Sequence, residues 1–159
     1  IYLTPGKTLK LGIVAQLFCP TIEGTAELTS DRPVRGIATS GWRGRSLSLG
    51  IADAVTVLAE NAAAADVAAT LIANAVNTDH QAIKRTAAST QEDQSDLGDR
   101  MVTVSVGDLD SITVETALGN GMKVAERMHD NGLISAAVLV LKNEIRAVGD
   151  VPKALPKKI

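Results

Sequence analysis

The feature that most constrains the fold is an alanine-rich segment in the middle of the chain, residues 61–76. Alanine has the highest helix propensity, and Asn61 is a good N-cap, so this segment predicts an α-helix. Nearly all of its remaining residues are Ala, Val, Leu or Ile, which predicts a helix that is buried on almost all sides. The rest of the chain must then supply the surfaces that cover it.

Short runs that alternate in polarity or are rich in β-branched residues predict strands before and after this helix. The predicted strands are Leu9–Gln16, a short one near Thr25–Leu28, Val34–Thr39, Ala54–Ala59, Met101–Val106, Leu133–Leu141 and Glu144–Val148. A second helix is predicted from Asp110 or Ser111 to Asp130, with Asn131-Gly132 as a left-handed stop. The polar stretch 78–100 is interpreted as a long loop. Hairpin-like strands with few helices indicate an α+β fold, with a mixed or antiparallel sheet packed against a few helices.

The size and composition exclude several classes of protein. The 159 residues suit one domain, predicted over residues 1–150, with a flexible tail at residues 151–159. A net charge of -2 and an aromatic content of 2% argue against a nucleic-acid surface, because both a basic face and stacking platforms are missing. No apolar run approaches the roughly 20 residues that span a bilayer. A single cysteine excludes an internal disulfide framework, and we expect a cytoplasmic protein.

Four polar residues of the predicted helix share one face. At about 100° per residue, Asp66, Thr70, Asn74 and Asn77 fall within about 80° of each other. We call this face the polar seam. A carboxylate and a hydroxyl suit a hard cation such as Mg²⁺, which keeps positions for water and phosphate. The seam therefore favours a metal site at Asp66 and Thr70.

A simpler interpretation of the same seam is structural. Asp66 would then pair with Arg35, Arg43 or Arg45, and the two amides would bind neighbouring backbone groups. Structural ion pairs are common in proteins, so spacing alone leaves both interpretations open.

The segment Thr39–Ser46, TSGWRGRS, combines hydroxyls, two glycines and two guanidinium groups. Such a loop fits recognition of phosphate or carboxylate, although it matches neither the P-loop nor the dinucleotide-binding pattern. The alternative is a solvated tight turn between two strands. Trp42 would cover a ligand ring or an arginine stem in the first case and serve only in packing in the second.

The string GIATSGWRGRSLSLGIADAVTVLA, followed by AAAADVAATLIANAV, resembles the ApbE-like superfamily, and most of all its uncharacterised short branch. The flavin transferases of that superfamily carry a T-S-G stretch, an I-D-P-like segment, a V-T-V strand and a helix with D-A-L-x-T. The corresponding segments here stand in the same order: Thr39-Ser40-Gly41, Ile51-Ala52-Asp53, Val55-Thr56-Val57 and Asp66–Thr70.

The resemblance implies a site for a flavin nucleotide, FAD or FMN, with Mg²⁺ beside its phosphates. It assigns the metal to Asp66 and Thr70. The implied cofactor-binding residues are Thr39, Ser40, Gly41, Arg43, Arg45 and Asp53. The resemblance covers residues 1 to about 150 and corresponds to the later half of the family domain. We therefore expect a missing or separately cleaved N-terminal segment as a partner, with a homo-oligomer as a further candidate.

The function implied by the resemblance is flavin-nucleotide binding, with Mg²⁺-dependent transfer of FMN from FAD to a protein hydroxyl as its chemistry. The transferases carry a histidine base just before the I-D-P segment, whereas this chain has Ser48, Leu49 and Gly50 there. The catalytic residues are thus not assigned. The alternative is a non-catalytic binding or scaffold module for another phosphorylated or anionic metabolite. Hydrolysis with Ser40 or Ser46 as nucleophile lacks an evident base.

Overall fold

A computed structural model describes residues 3–13, 24–29, 33–44, 46–92 and 95–151 of the chain. These residues form eight strands, two α-helices and one 3-10 turn at Ala88–Thr90. The strands are β1 (Thr8–Ile13), β2 (Gly24–Thr29), β3 (Gly36–Ser40), β4 (Ala54–Ala59), β5 (Ile83–Ala87), β6 (Met101–Val106), β7 (Ala136–Leu141) and β8 (Glu144–Gly149). The helices are α1 (Ala62–Ala75) and α2 (Ser111–Asp130). All strand pairs are antiparallel, which confirms the α+β prediction.

The central layer is a four-stranded sheet in the order β3-β4-β7-β8, accompanied by the hairpins β1-β2 and β5-β6. Both helices cover one face of this sheet: α1 packs on β3 and β4, and α2 packs on β7, β8 and α1. Alternate residues of the strands, such as Val57 and Leu139, join Ile72 and Leu118 in the core between the layers. The opposite face is covered at one end by a smaller cluster around Leu3, Val34 and Leu58.

The two helices begin where their capping residues predict. The Asn61 side chain accepts a hydrogen bond of 2.8 Å from the Ala64 amide, and Asp110 accepts one of 2.7 Å from the Thr113 amide. Each side chain satisfies one of the free amides in a first helical turn. α2 ends at Asp130, and Gly132, just after the C-cap Asn131, has the φ of 69° expected of the predicted left-handed stop.

The turn between β7 and β8 consists of Lys142 and Asn143, both with positive φ, 50° and 66°. Such a two-residue turn matches the twist of the strands it joins, and the pairing continues from Leu141 opposite Glu144. The last two predicted strands, Leu133–Leu141 and Glu144–Val148, are thus observed as an antiparallel hairpin.

Two structural predictions were wrong. The stretch interpreted as a loop contains β5, whose polar sequence IKRTA became a strand because β6 pairs with it. The helix α1 is not buried nearly all round, since Val67 and Leu71 are 59% and 48% exposed. The sheet and α2 cover only part of its circumference, which composition does not reveal.

The predicted strand Leu9–Gln16 is observed as Thr8–Ile13, and residues 14–16 lie outside the described part of the chain. Residues 152–159 of the predicted tail also lie outside it. Within the described residues, no helix is long and apolar enough to cross a membrane.

Candidate functional site

The segment Gly41–Gly50, which we call the glycine loop, connects β3 to β4 at one end of the sheet. The Trp42 amide donates a hydrogen bond of 3.0 Å to the Ala52 carbonyl at its beginning, and the Ile51 amide donates one of 2.8 Å to Val76 just after its end. At Gly50 a Cβ atom would overlap the Ala73 carbonyl oxygen, so only glycine lets the loop lie this close to α1. The loop is thus held between the sheet and the end of α1.

Asp53 joins the glycine loop to the β7–β8 turn. Its Oδ1 accepts hydrogen bonds from Arg43 Nε at 2.7 Å and from Trp42 Nε1 at 3.2 Å. Its Oδ2 accepts one of 2.7 Å from the backbone amide of Lys142. Both carboxylate oxygens are therefore engaged inside the protein, with only 12% of the side chain exposed. Asp53 positions its neighbours in this arrangement.

Trp42 and Arg43 form a stacked pair. The Arg43 guanidinium carbon lies 4.6 Å from the centroid of the Trp42 ring, which is a cation–π distance. The ring also packs against the main core and is partly buried. Trp42 therefore contacts an arginine and also packs against the core.

The C-terminal end of the polar seam is structural. Asn74 Oδ1 accepts hydrogen bonds from Ser48 Oγ at 3.2 Å and from the Leu49 amide at 3.0 Å. Asn77 does not lie on the helix as predicted, because α1 ends at Ala75; its Nδ2 donates a hydrogen bond of 3.2 Å to the Leu49 carbonyl. The prediction that these amides bind neighbouring backbone is confirmed, and they fix the second half of the glycine loop against α1.

The N-terminal end of the polar seam is open. Asp66 and Thr70, one turn apart on α1, are both exposed, and Asp66 forms no ion pair within the described part of the chain. The predicted pairing of Asp66 with Arg43 is wrong, because Arg43 binds Asp53 instead. The Arg35 guanidinium contacts the Leu3 carbonyl.

The sheet separates Thr39 from the helix residues. Thr39 Oγ1 is hydrogen-bonded to Thr56 Oγ1 at 2.8 Å, on the face opposite to the helices. Side chains alternate along a strand, and the residues just before each threonine, Ala38 and Val55, lie on the helix-covered side. Thr39 and Asp66 thus lie on opposite sides of the sheet layer.

The other predicted residues lie at the loop end of the sheet. Ser40 ends β3, Gly41 is buried, and Arg43 and Asp53 are in direct contact. Arg45 lies outside the described residues. Among the residues with described positions, no group of three or more His, Cys, Asp or Glu side chains could hold a metal ion. Asp66 with Thr70 is a smaller set, whose ion would take its other ligands from water or a bound molecule.

Sequence reasoning missed Lys142. The pair Lys142-Asn143 stands between the last two predicted strands and suggests no more than a turn, yet its first amide binds Asp53, which lies 89 positions earlier. The Lys142 ammonium donates a hydrogen bond of 3.0 Å to the Val106 carbonyl. The available signal was a lysine at a turn position where Asn, Asp or Gly is favoured.

Comparison with known proteins identifies the family. A family model described as AbpE bacteria matches residues 1–147, which is most of the chain. No curated protein matches the sequence. The match includes the glycine loop, α1 and β7, and it ends within β8. The chain therefore belongs to the AbpE bacteria family.

Proposed function

We propose that this chain is an ApbE-like protein that binds a flavin nucleotide, FAD or FMN, together with Mg²⁺. Asp66 and Thr70 would supply the protein oxygens to the ion. The observation that carries the proposal is the exposure of these two side chains, one turn apart on a rigid helix, in the order of motifs that the ApbE-like superfamily uses.

The donor set fits the ion. Mg²⁺ prefers oxygen ligands and usually retains several waters beside one or two protein groups and substrate phosphates. A solvent-facing carboxylate without a cationic partner is ready to bind a cation. The bound ion would neutralise phosphate charge beside α1, and the chain itself would orient the nucleotide.

The glycine loop supplies the second half of the proposed site. Arg43 is held by Asp53 at 2.7 Å and by the Trp42 ring, so its orientation is set before any ligand arrives. A preorganised guanidinium loses little freedom when it binds an anion. We propose that Ser40, Gly41 and Arg43 contact phosphate here, with Arg45 as a further contact.

Binding is better supported than group transfer. Ser48, in the segment where the transferases carry a histidine base, is 4% exposed, and its hydroxyl donates to Asn74. A hydroxyl fixed in this way does not take up a proton from an acceptor threonine at neutral pH. This observation also favours the second candidate, a non-catalytic module for another phosphorylated metabolite.

The experiment is a titration of the longest native form of the protein with FAD, followed by flavin and Trp42 fluorescence, with and without Mg²⁺. We expect Mg²⁺ to increase the affinity of the wild type by about 10-fold, as for a charge-assisted contact. In Asp66→Asn and Thr70→Val this dependence should be lost or strongly reduced. Both side chains are exposed, so the variants should fold normally.

One control variant tests the metal site, and two further ligands separate the two candidate functions. Glu126→Gln removes an exposed carboxylate from α2 and should leave the Mg²⁺ dependence unchanged. Riboflavin, which lacks phosphate, should show no response to Mg²⁺, and ADP reports a preference for other phosphorylated ligands. Equal FAD affinity in the wild type and Asp66→Asn at saturating Mg²⁺ would refute the metal site. Tighter binding of ADP than of FAD would favour the second candidate.

A further inference from the structure

We propose that the chain binds a small zwitterion of the amino-acid class in a cleft at the end of the sheet opposite to the glycine loop. The cleft has a volume of about 590 Å³, a size typical of small-molecule sites. It lies where β3 begins and β4 ends, whereas the glycine loop joins the other ends of these two strands. The cleft is thus separate from the proposed flavin site.

Three connections of the chain meet at the cleft. Arg35 precedes β3, Glu60 follows β4 and Ser135 precedes β7. The Arg35 amide donates a hydrogen bond of 3.0 Å to the Ala59 carbonyl, and the Ser135 amide donates one of 2.8 Å to the Leu58 carbonyl. These bonds hold Arg35 and Ser135 on either side of the end of β4, so the sheet fixes the walls of the cleft.

The cleft is lined by charges of both signs. Arg35 and Glu60 stand one position beyond the last pair of the β3–β4 ladder, Gly36 opposite Ala59. Opposite charges at facing positions of neighbouring strands commonly interact, yet these two form no ion pair with each other. The Arg35 guanidinium contacts the Leu3 carbonyl, and the exposed Glu60 carboxylate has no ion-pair partner within the described residues. A ligand whose carboxylate binds Arg35 and whose amine binds Glu60 complements this arrangement.

The uncharged lining suits the rest of an amino acid. The Asn61 side chain caps α1 through its oxygen, and its Nδ2 forms no hydrogen bond among the described residues. The Ser135 hydroxyl has no hydrogen-bond partner in that part of the chain either. Beside these polar groups, Leu133 is 60% exposed and Ile134 is buried. The polar groups fit the charged end of the ligand, and the exposed leucine fits an aliphatic side chain.

The test is a titration of the isotope-labelled full chain with free leucine, followed by the NMR signals of the backbone amides. We expect saturable shifts of the Asn61 and Ser135 amides, which belong to the cleft. The indole signal of Trp42, the only tryptophan of the chain, lies at the other end of the sheet and should not move.

Two analogues of leucine test each charge without changing the protein. Leucinamide lacks the carboxylate that Arg35 would bind, and N-acetylleucine lacks the amine that Glu60 would bind. Each should bind about 10-fold more weakly than leucine, because one charge-assisted contact is lost.

A variant assigns the amine contact to Glu60. Glu60→Gln should bind leucine about 10-fold more weakly than the wild type and should bind N-acetylleucine as the wild type does, because the second ligand has no amine to lose. The side chain is exposed, so the variant should fold normally. Glu115→Gln, which removes an exposed carboxylate from α2, is the matched control and should bind leucine with wild-type affinity.

Three results would overturn the zwitterion site. They are the absence of saturable shifts with leucine, equal leucine affinity in the wild type and Glu60→Gln, and N-acetylleucine or leucinamide binding as tightly as leucine. None of these measurements involves FAD or Mg²⁺, so their outcome does not depend on whether the chain binds a flavin.

Discussion

Asp53 and Asp66 are the two carboxylates that the sequence assigned to one site, and the structure treats them in opposite ways. Asp53 is 12% exposed and accepts three hydrogen bonds, from Arg43, Trp42 and Lys142. Asp66 lies on the outer side of α1 and forms no ion pair among the described residues. One is surrounded by donors and the other faces water.

The difference separates positioning from binding. A carboxylate whose oxygens are both occupied by the protein organises its neighbours and has little capacity left for a ligand. An exposed carboxylate contributes little to stability but keeps its oxygens for a cation. The first should therefore matter for folding and the second for metal affinity.

The largest expected effect is on Asp53. Asp53→Ala should lower the free energy of unfolding by about 3 kcal/mol, because a partly buried guanidinium and two N–H groups lose their acceptor. Urea denaturation measures the change, and Asp53→Asn, which keeps an acceptor, should cost less. A loss no greater than that of Asp66→Ala would contradict the positioning role of Asp53.

Asn74 is a residue of the polar seam that, like Asp53, is engaged by the protein. Asn74→Ala should cost about 2 kcal/mol, because Ser48 Oγ and the Leu49 amide lose an acceptor in a partly buried place. Asn74→Asp keeps the accepting oxygen and serves as the control. Urea denaturation followed by Trp42 fluorescence measures both, and wild-type stability in Asn74→Ala would contradict the structural role of this amide.

Asp110 is a third carboxylate, exposed like Asp66 but engaged as a cap. Its pKa lies below the ordinary value, chiefly because the carboxyl accepts a hydrogen bond from the Thr113 amide, with a smaller contribution from the charge of His80. The folded-state pKa is depressed, so this stabilisation is present above the unfolded-state pKa of about 3.9 and is lost as the pH falls through the folded-state value.

The test compares melting temperatures of the wild type and Asp110→Asn between pH 7 and pH 3. Asparagine also caps helices, so the variant keeps the hydrogen bond without the charge. The wild type should be more stable at neutral pH, and its advantage should shrink as the pH falls below about 4. An advantage that is constant over this range would show that the charge of Asp110 does not contribute.

The smallest effect on stability is expected for Asp66. Asp66→Ala should change the free energy of unfolding by no more than about 0.5 kcal/mol without Mg²⁺, as for an exposed surface residue. With Mg²⁺ and FAD present, the wild type should gain thermal stability that the variant lacks, since a ligand stabilises the state that binds it. A large loss without any ligand would place Asp66 in the same class as Asp53.

Local signals in the sequence predicted most of the fold. The cap at Asp110, the stop at Gly132 and the alternation of Met101–Val106 gave bounds that the structure confirms. Each of these signals acts within a few residues of chain. The strand β5 was not predicted, because its polar sequence has no local strand signature. It is a strand because it pairs with β6.

Helix periodicity and turn chemistry are local, so the sequence alone predicts the two helices, the antiparallel hairpin and the polar face that Asp66, Thr70 and Asn74 form on α1. Which residues of the seam contact the rest of the protein depends instead on how the chain folds around α1. The glycine loop covers Asn74 and Asn77, and nothing among the described residues pairs with Asp66. The contact between Asp53 and Lys142 joins residues 89 positions apart, and such a pairing depends on how the sheet brings its strands together.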